Sequence, residues 1–400
     1  MKSRKLLRIC VYTIFVMACF SGLAIGDQDD LEGLQFQSVA KESIPDILDQ
    51  ISAQIRGNCD QINTWQGEVE FDDNKMNKGD TAEKIFRNRT AWQGEAPQSI
   101  MQRASGTRIF IIDIKNESNY EYLFRKEPIM YIDVNTGIPL DTLPGFSFPL
   151  HETMIVTSQE YLECTPNRYR GTTIVSRRAI KKTLEKPIKK GISGQRTTVL
   201  KEDVFDPRKF FCMSQLWDYF AECKKRLEQD NEDSNLPPTR FEESRDGNAI
   251  VYHMLIPFRA TKTQHIFISI YFASETGFNM VKAETLGPEY QKYTSTKIKY
   301  TTLGGIYIPY SIDRYTYDIN DSSMVSEIKY VIKDQQLNKP IPTETFTYKN
   351  LGLKDGDEFI DKTENKKYKY ENANLVLISD LPAPSSSQQG SAGAEPNNPP

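Results

Sequence analysis

Histidines are the first candidates for chemistry in this sequence. There are three, His151, His253 and His265, and none lies in an HExxH, GxSxG, phosphate-loop or EF-hand pattern. If a three-residue loop at 259–261 joins the strands that carry the last two, His265 lies diagonal to His253 on one sheet face, about 7 to 8 Å away. A pair at that spacing needs a third ligand to hold a metal, and the sequence places none. We therefore predict no enzyme, no metal and no cofactor, and interpret both residues as ordinary strand histidines.

The cysteines are the next candidates. Four of the six lie beyond residue 26: Cys59, Cys164, Cys212 and Cys223. They form no CxxC and no cysteine–histidine metal pattern. Cys212 and Cys223 share one predicted helix at a distance of about 16 Å, too far for a disulfide between them. The spacing leaves open whether disulfides to other cysteines or buried free thiols are present.

A basic run between Arg168 and Arg196 contains ten Lys or Arg and a single acid, Glu185. One interpretation is a solvated loop or hairpin. The functional interpretation is a docking patch for anionic head groups or acidic envelope polymers. Four lysines would carry it: Lys181, Lys182, Lys189 and Lys190.

The N-terminus predicts export. Four basic residues precede an almost charge-free stretch from Ile9 to Gly26, and Ala24-Ile25-Gly26 has the small-x-small pattern of a signal peptidase site. Cleavage there changes the formal net charge from −4 to −8, because the four basic residues are unopposed, and an acidic chain argues against nucleic acid as a partner. A retained membrane helix is one alternative, and a lipid anchor at Cys19 is another. The predicted location is the periplasm or cell envelope.

Two helices are expected. Ser43-Ile44-Pro45 precedes an apolar stripe at helical spacing, which predicts a helix from there to about Arg56 or Cys59. Asp206-Pro207 caps a second apolar stripe, which predicts an inserted helix at about 206–230.

From Thr64 the period of the pattern changes from helical to two. In "INTWQGEVEF", residues 62–71, we interpret Trp65 as packing the first helix against a sheet and Gly67 as allowing close backbone approach. Further predicted strands are 83–92, 108–114, 120–125, 129–134, 241–245, 250–258, 265–272, 279–286, 293–303, 306–318 and 323–333. So many strands with short links predict one large, curved antiparallel sheet in a single domain, 41–380, with a disordered tail at 383–400.

Three stretches carry a family resemblance: "INTWQGEVEF", "GGIYIPYSIDRYTY" at 304–317 and "IPTETFTYKNLGLKDGDEFID" at 341–361. The chain resembles exported bacterial proteins of the lipoprotein-carrier superfamily, the LolA/LolB-like half-barrels, and in particular a longer branch of it. The resemblance implies an α+β fold in which helices close one side of a curved sheet and the concave face holds an acyl chain or hydrophobic partner. This chain is longer than the carriers, with extra residues around 140–240.

These observations predict a non-catalytic envelope protein that binds a lipid, acyl chain or lipoprotein in the concave sheet. Tyrosines suit such a wall because an apolar ring carries a polar tip. The predicted ligand contacts are Tyr252, Met254, Ile268, Tyr300 and Tyr310. One alternative is a scaffolding protein whose own helix fills the sheet. Another is a hydrolase, which a compact pocket of His253, His265 and two carboxylates would support.

Overall fold

One open sheet of 19 strands forms the framework of the protein. The computed structural model describes residues 31, 33–125, 129–141, 150–158, 160–166, 173–179, 205–211, 214–228, 236–259, 265–361 and 364–381. The predicted signal segment and the predicted tail lie outside the described residues, as do Cys19 and the four lysines of the basic run.

The strands differ widely in length, from two residues to fifteen. They are β1 Gln37–Ser38, β2 Thr64–Lys78, β3 Ser99–Asp113, β4 Ser118–Arg125, β5 Met130–Asp133, β6 Pro139–Leu140, β7 Leu150–Val156, β8 Glu160–Pro166, β9 Thr173–Ala179, β10 Arg240–Asp246, β11 Ala249–Arg259, β12 His265–Ala273, β13 Met280–Leu286, β14 Lys292–Leu303, β15 Ile306–Tyr317, β16 Met324–Leu337, β17 Glu358–Asp361, β18 Lys366–Glu371 and β19 Asn374–Asp380. The helices are α1 Ile44–Asp60, α2 Gly79–Arg89, α3 Arg208–Phe211 and α4 Ser214–Glu228.

Hydrogen-bonded neighbours run in the order β1-β10-β11-β12-β13-β14-β15-β16-β2-β3-β4-β7-β8-β9-β17-β18-β19. β5 and β6 branch from the first half of β3. Among the described strands, every pair is antiparallel except β9 with β17. The predicted large antiparallel sheet is confirmed, and it is open, with β1 and β19 at its edges.

The motif around Trp65 shows how one face of the sheet is buried. Trp65 is fully buried, with its ring edge-to-face against Phe110 of β3 and Phe211 of α3 at centroid distances of 5.8 and 6.0 Å. A Cβ at Gly67 would lie 3.1 Å from the ring of Phe110 and from a backbone oxygen of β16, which is tighter than most Cβ contacts, so glycine favours the close approach of these strands. The motif is architectural, as the sequence indicates. We call the face that carries Trp65 the inner face and the opposite one the outer face.

Helices cover the inner face. Leu48, Ile51 and Ile55 repeat at helical spacing along α1 and are fully buried in the main core. α4 packs alongside, with the ring of Phe220 5.4 Å from that of Phe272 on β12. The predicted N-terminal helix is confirmed, and the predicted inserted helix corresponds to α3 and α4, with residues 212–213 outside the described ones.

The strand predicted at 83–92 is wrong, because α2 occupies Gly79–Arg89. Its buried side chains, Ala82 and Phe86, are four positions apart and lie on one helical face, against Ile100 of β3. Because this buried stripe is narrow, the helical period is weak, and the adjacent apolar residues Ile85 and Phe86 resemble part of a strand when they are considered alone.

A second core lies on the outer face. Leu351 and Phe359, from the C-terminal segment, pack with Ile155 of β7 and Leu162 of β8. The outer surface is therefore covered in this part of the sheet.

Candidate ligand groove

An open groove of about 380 Å³ lies where β14, β15 and β16 run side by side. This volume is within the range of about 300–1,000 Å³ common for small-molecule sites. We call it the rim groove, and its lining residues are Thr301, Thr302, Leu303, Ile308, Tyr310, Ile332, Asp334 and Gln335.

Two β-bulges shape the rim groove. Lys299 pairs with Ser311 but Tyr300 pairs with Pro309, so Tyr310 is an extra residue in β15. In β16 a second register shift falls between Lys333 and Gln336, and it contains Asp334 at a φ of 50°. A bulge redirects side chains out of the regular alternation, and here it brings polar groups to the edge of an apolar surface.

Hydrogen bonds fix the surroundings of the groove. The Gln335 side chain accepts from Nε1 of Trp65 at 3.1 Å and donates to the carbonyl oxygen of Pro309, also at 3.1 Å. Asn58, near the end of α1, donates to the carbonyl of Tyr307 at 2.7 Å and accepts from its N–H at 2.8 Å. The helix is thereby tied to the first residues of β15, which lead into the groove.

The groove combines an apolar floor with a polar edge. Ile308 and Ile332 are almost fully buried and belong to the main core, whereas Leu303 is 36% exposed. Asp334 and Gln335 provide a carboxylate and an amide beside them. Such a surface can take a short apolar chain that ends in a polar group.

The structure separates the five predicted ligand contacts. Tyr310 lines the rim groove. Tyr252, Met254 and Tyr300 are buried in the main core, and Ile268 packs against that core. The Tyr300 hydroxyl donates to the carbonyl of Met280 at 2.9 Å, and burial raises its pKa well above the usual range. Ligand contact by these residues stays a prediction.

Sequence reasoning missed most of the groove. In the sequence, Ile308 and Ile332 have the pattern of ordinary core residues, and both do belong to the core. Asp334 and Gln335 have the pattern of polar residues within a strand. The signal that distinguishes them is the pair of register shifts, and a single sequence does not show which residues pair.

The predicted arrangement of the histidines is wrong. Arg259 pairs with His265, so His265 lies six residues along β12 from Tyr271, the partner of His253. The proposed three-residue loop is too short, because β11 extends to Arg259. Among the described residues, no group of three or more His, Cys, Asp or Glu side chains is placed to hold a metal ion.

The cysteines divide into two kinds. Cys59 is disulfide-bonded, and Cys212 lies outside the described residues. Cys164 and Cys223 are free and buried. Burial raises the pKa of each of these two thiols to about 12. They are therefore unreactive packing residues in the folded state.

Comparison with protein-family models and with curated proteins gives no match. Solved structures that are similar include a DUF1329 family protein from Desulfovibrio piger, with 10% identity, a TM-score of 0.34, and coverage of 78% of this chain and 98% of that chain. Another is an outer membrane lipoprotein-sorting protein domain from Vibrio parahaemolyticus, with 8% identity, a TM-score of 0.31, and coverage of 78% and 99%. None of the helices in the described part of the chain has the length and apolar character needed to cross a membrane.

Proposed function

We propose that the protein is an exported envelope protein that binds the apolar chain of an amphipathic ligand, such as a fatty acid or lipid, in the rim groove. The observation that carries the proposal is an open groove whose exposed apolar side chain is Leu303, with the buried Ile308 and Ile332 beneath and Asp334 at the edge. Its export rests on the N-terminal sequence.

The groove suits a single chain better than a large hydrophobic partner. Under α1 and α4 the inner face is already filled, since Leu48, Ile51, Leu216 and Cys223 are fully buried. A ligand in the rim groove can bind while these helices stay in place. Dispersion and the hydrophobic effect would hold its chain, and the polar end would remain in water at the edge of the groove.

The second candidate is a scaffolding role without any ligand. The same filling of the inner face favours it, because a sheet that is covered by its own helices needs no guest molecule for stability. The two candidates differ in one measurable property, which is saturable binding of an apolar chain.

The test uses a dansyl-labelled fatty acid and the full mature chain. We expect saturable binding with one site per chain, which is measured by the change in dansyl fluorescence. Leu303→Glu should weaken binding at least about tenfold, because it places a charge on the apolar wall. Ile319→Glu is the matched control: Ile319 is a 62%-exposed aliphatic residue outside the groove lining.

Native mass spectrometry of protein purified from the envelope gives a second readout. A lipid adduct that is present in the wild type and the Ile319→Glu control but lost from Leu303→Glu supports the proposal. If the fatty acid does not bind saturably, or if both substitutions weaken its binding equally, the groove is not a ligand site and the scaffolding role stands.

A further inference from the structure

The outer face of β10 to β13 holds a line of three hydrogen-bonded side chains that the proposed function does not use. His253 Nε2 lies 3.0 Å from the Ser269 hydroxyl, and His253 Nδ1 lies 3.1 Å from a carboxylate oxygen of Glu242. The strand register places them together, because Glu242 pairs with His253, and Leu255, two residues on, pairs with Ser269. A hydroxyl, an imidazole and a carboxylate in this order form the relay that activates serine nucleophiles.

The relay has the proton arrangement that activation requires. The carboxylate of Glu242 can only accept, so the proton of neutral His253 lies on Nδ1. Nε2 is then the acceptor for the Ser269 hydroxyl, which is the geometry of a general base. Burial lowers the pKa of His253, although Glu242 opposes the shift, so the imidazole is neutral at pH 7.

The surroundings of Ser269 are polar on one side and apolar on the other. Glu284 pairs directly with Ser269, and Lys282 pairs with Tyr271, which puts the lysine diagonal to the serine. Lys282 is almost fully buried and its ammonium lies 3.3 Å from the Glu284 carboxylate. On the other side Leu255 and Phe267 form a small buried apolar cluster with Leu286, defined here as the acyl patch.

We propose that Ser269 is a nucleophilic serine that accepts a short apolar acyl group from an activated ester. Its Oγ bonds to the ester carbonyl carbon while its proton passes to Nε2 of His253. The carbon–oxygen bond to the alcohol then breaks, and the alcohol leaves with that proton. The products are acyl-Ser269 and the free alcohol, and His253 returns to its neutral form.

The chemistry of the site sets its substrate class. Backbone N–H groups of these strands are used in the sheet ladder, so stabilisation of the developing oxyanion would fall to the ammonium of Lys282, which would have to turn from its ion pair with Glu284. Such stabilisation suits esters with good leaving groups rather than amides, and the acyl patch accommodates a short acyl chain.

Phe36 packs beside the relay. Its ring lies edge-on to those of His253 and Tyr271, at centroid distances of 5.5 and 6.0 Å. Ser269 itself is only 1% exposed, so a substrate must displace the Phe36 ring or its neighbours. We therefore expect slow reaction in the wild type and faster reaction in Phe36→Ala.

The test is covalent labelling of the full mature chain with a fluorophosphonate, with p-nitrophenyl acetate as acyl donor and peptide mass spectrometry to locate the adduct. We expect the adduct on Ser269 and its loss in Ser269→Ala. Ser269→Cys, which keeps a weak donor beside His253, guards against loss of folding and should also lose the fluorophosphonate adduct. Ser295→Ala is the matched control, since Ser295 is a buried serine on the same face that bonds to Glu284 and has no histidine partner.

Glu242 is a positioning residue, and its test separates activation from plain structure. His253 faces Glu242 from β10, Tyr271 from β12, and Lys282 and Glu284 from β13. Because the reaction needs neutral His253 and burial lowers the pKa of its imidazole, labelling should fall at acid pH with a midpoint below the ordinary histidine pKa of 6.5. Glu242→Gln removes a group that raises the pKa of His253, so the acid limb should move to lower pH while the plateau rate falls at least about tenfold.

Two results would overturn the proposal. The first is that neither the wild type nor Phe36→Ala forms a fluorophosphonate adduct. The other is an adduct that persists in Ser269→Ala or lies on another serine. In either case the three side chains form a structural network alone, and Ser269→Ala would change only the stability of the fold.

Discussion

The buried ion pair between Arg108 and Glu121 gives the sharpest test of how the inserted segment is attached to the sheet. Arg108 Nη1 lies 2.7 Å from a Glu121 carboxylate oxygen, and the Glu121 side chain is fully buried while that of Arg108 is 23% exposed. The other oxygen of Glu121 accepts the backbone N–H of Phe205, which leads into α3. One carboxylate therefore joins a strand to the start of the helical insertion.

Arg108→Met should destabilise the protein by about 3 to 5 kcal/mol, because it leaves a buried carboxylate without its cation. Arg108→Met combined with Glu121→Gln should recover most of that loss, since the amide is neutral and still accepts the N–H of Phe205. The ion pair itself adds little net stability, because desolvation opposes it and Arg108 Nε is buried without a hydrogen-bond partner.

The pH dependence follows from the direction of the Glu121 shift. Burial raises its pKa from the ordinary 4.5, and Arg108 opposes the rise. A carboxyl whose pKa is higher in the folded state holds its proton more tightly there, so its contribution is present at low pH and is lost as pH rises through the folded pKa. Removing the cation enlarges the shift. The gap in stability between Arg108→Met and the double variant should therefore widen as pH rises above 4.5.

Urea unfolding at pH 4.5 and pH 8 measures both effects. Refutation is clear in two cases: a loss below about 1 kcal/mol in Arg108→Met, or a loss that is the same at both pH values. The first result would mean that water or another cation compensates Glu121, and the second that the loss comes from the packing of the Arg108 side chain and not from the charge of Glu121.

Two further predictions concern packing and reactivity. Gly67→Ala should destabilise the protein by about 1 to 3 kcal/mol in urea unfolding, since its Cβ would meet a ring and a backbone oxygen at 3.1 Å. Gly57→Ala is the control, because a Cβ at this position in α1 would have nothing within 4 Å, and it should be neutral or stabilise the protein by up to about 1 kcal/mol. Equal effects of the two substitutions would contradict the packing argument. Cys164 and Cys223, whose pKa values burial raises to about 12, should react with iodoacetamide only after unfolding, and modification of either in the folded protein at pH 8 would show that these sites open.

The elements that the sequence predicted well are those whose period is carried by several residues. In α1, Leu48, Ile51 and Ile55 repeat at helical spacing, and in β11 and β12 the residues of the two faces alternate over most of the strand length. The local sequence of each element is therefore enough to predict its secondary structure. α2 has only Ala82 and Phe86 as fully buried positions, and a stripe that narrow does not outweigh a local strand-like pair.

The two sites were harder to predict because both depend on register. Tyr310 and Asp334 reach the rim groove through bulges, and nothing in their sequence neighbourhood specifies which residue is the extra one. Ser269 meets His253 only because β11 extends to Arg259, which sets the register of β12. A shift of two residues would separate hydroxyl from imidazole with the same alternation of apolar residues.

The packing of the helices on the inner face limits where a ligand could bind to the sheet. To open the surface under α4, a ligand would have to replace the burial of Leu216, Phe220 and Cys223, at about 1.5 to 3 kcal/mol for each large side chain. It would also separate α4 from α1, where Arg56 lies 4.5 Å over the Trp217 ring and Lys224 pairs with Asp49. A chain in the rim groove meets none of these costs, since the groove lies beside the exposed side chain of Leu303 and is open without any helix being displaced. The inner face is thus divided into a part that the helices cover and an accessible rim, and the binding proposed above is confined to that rim.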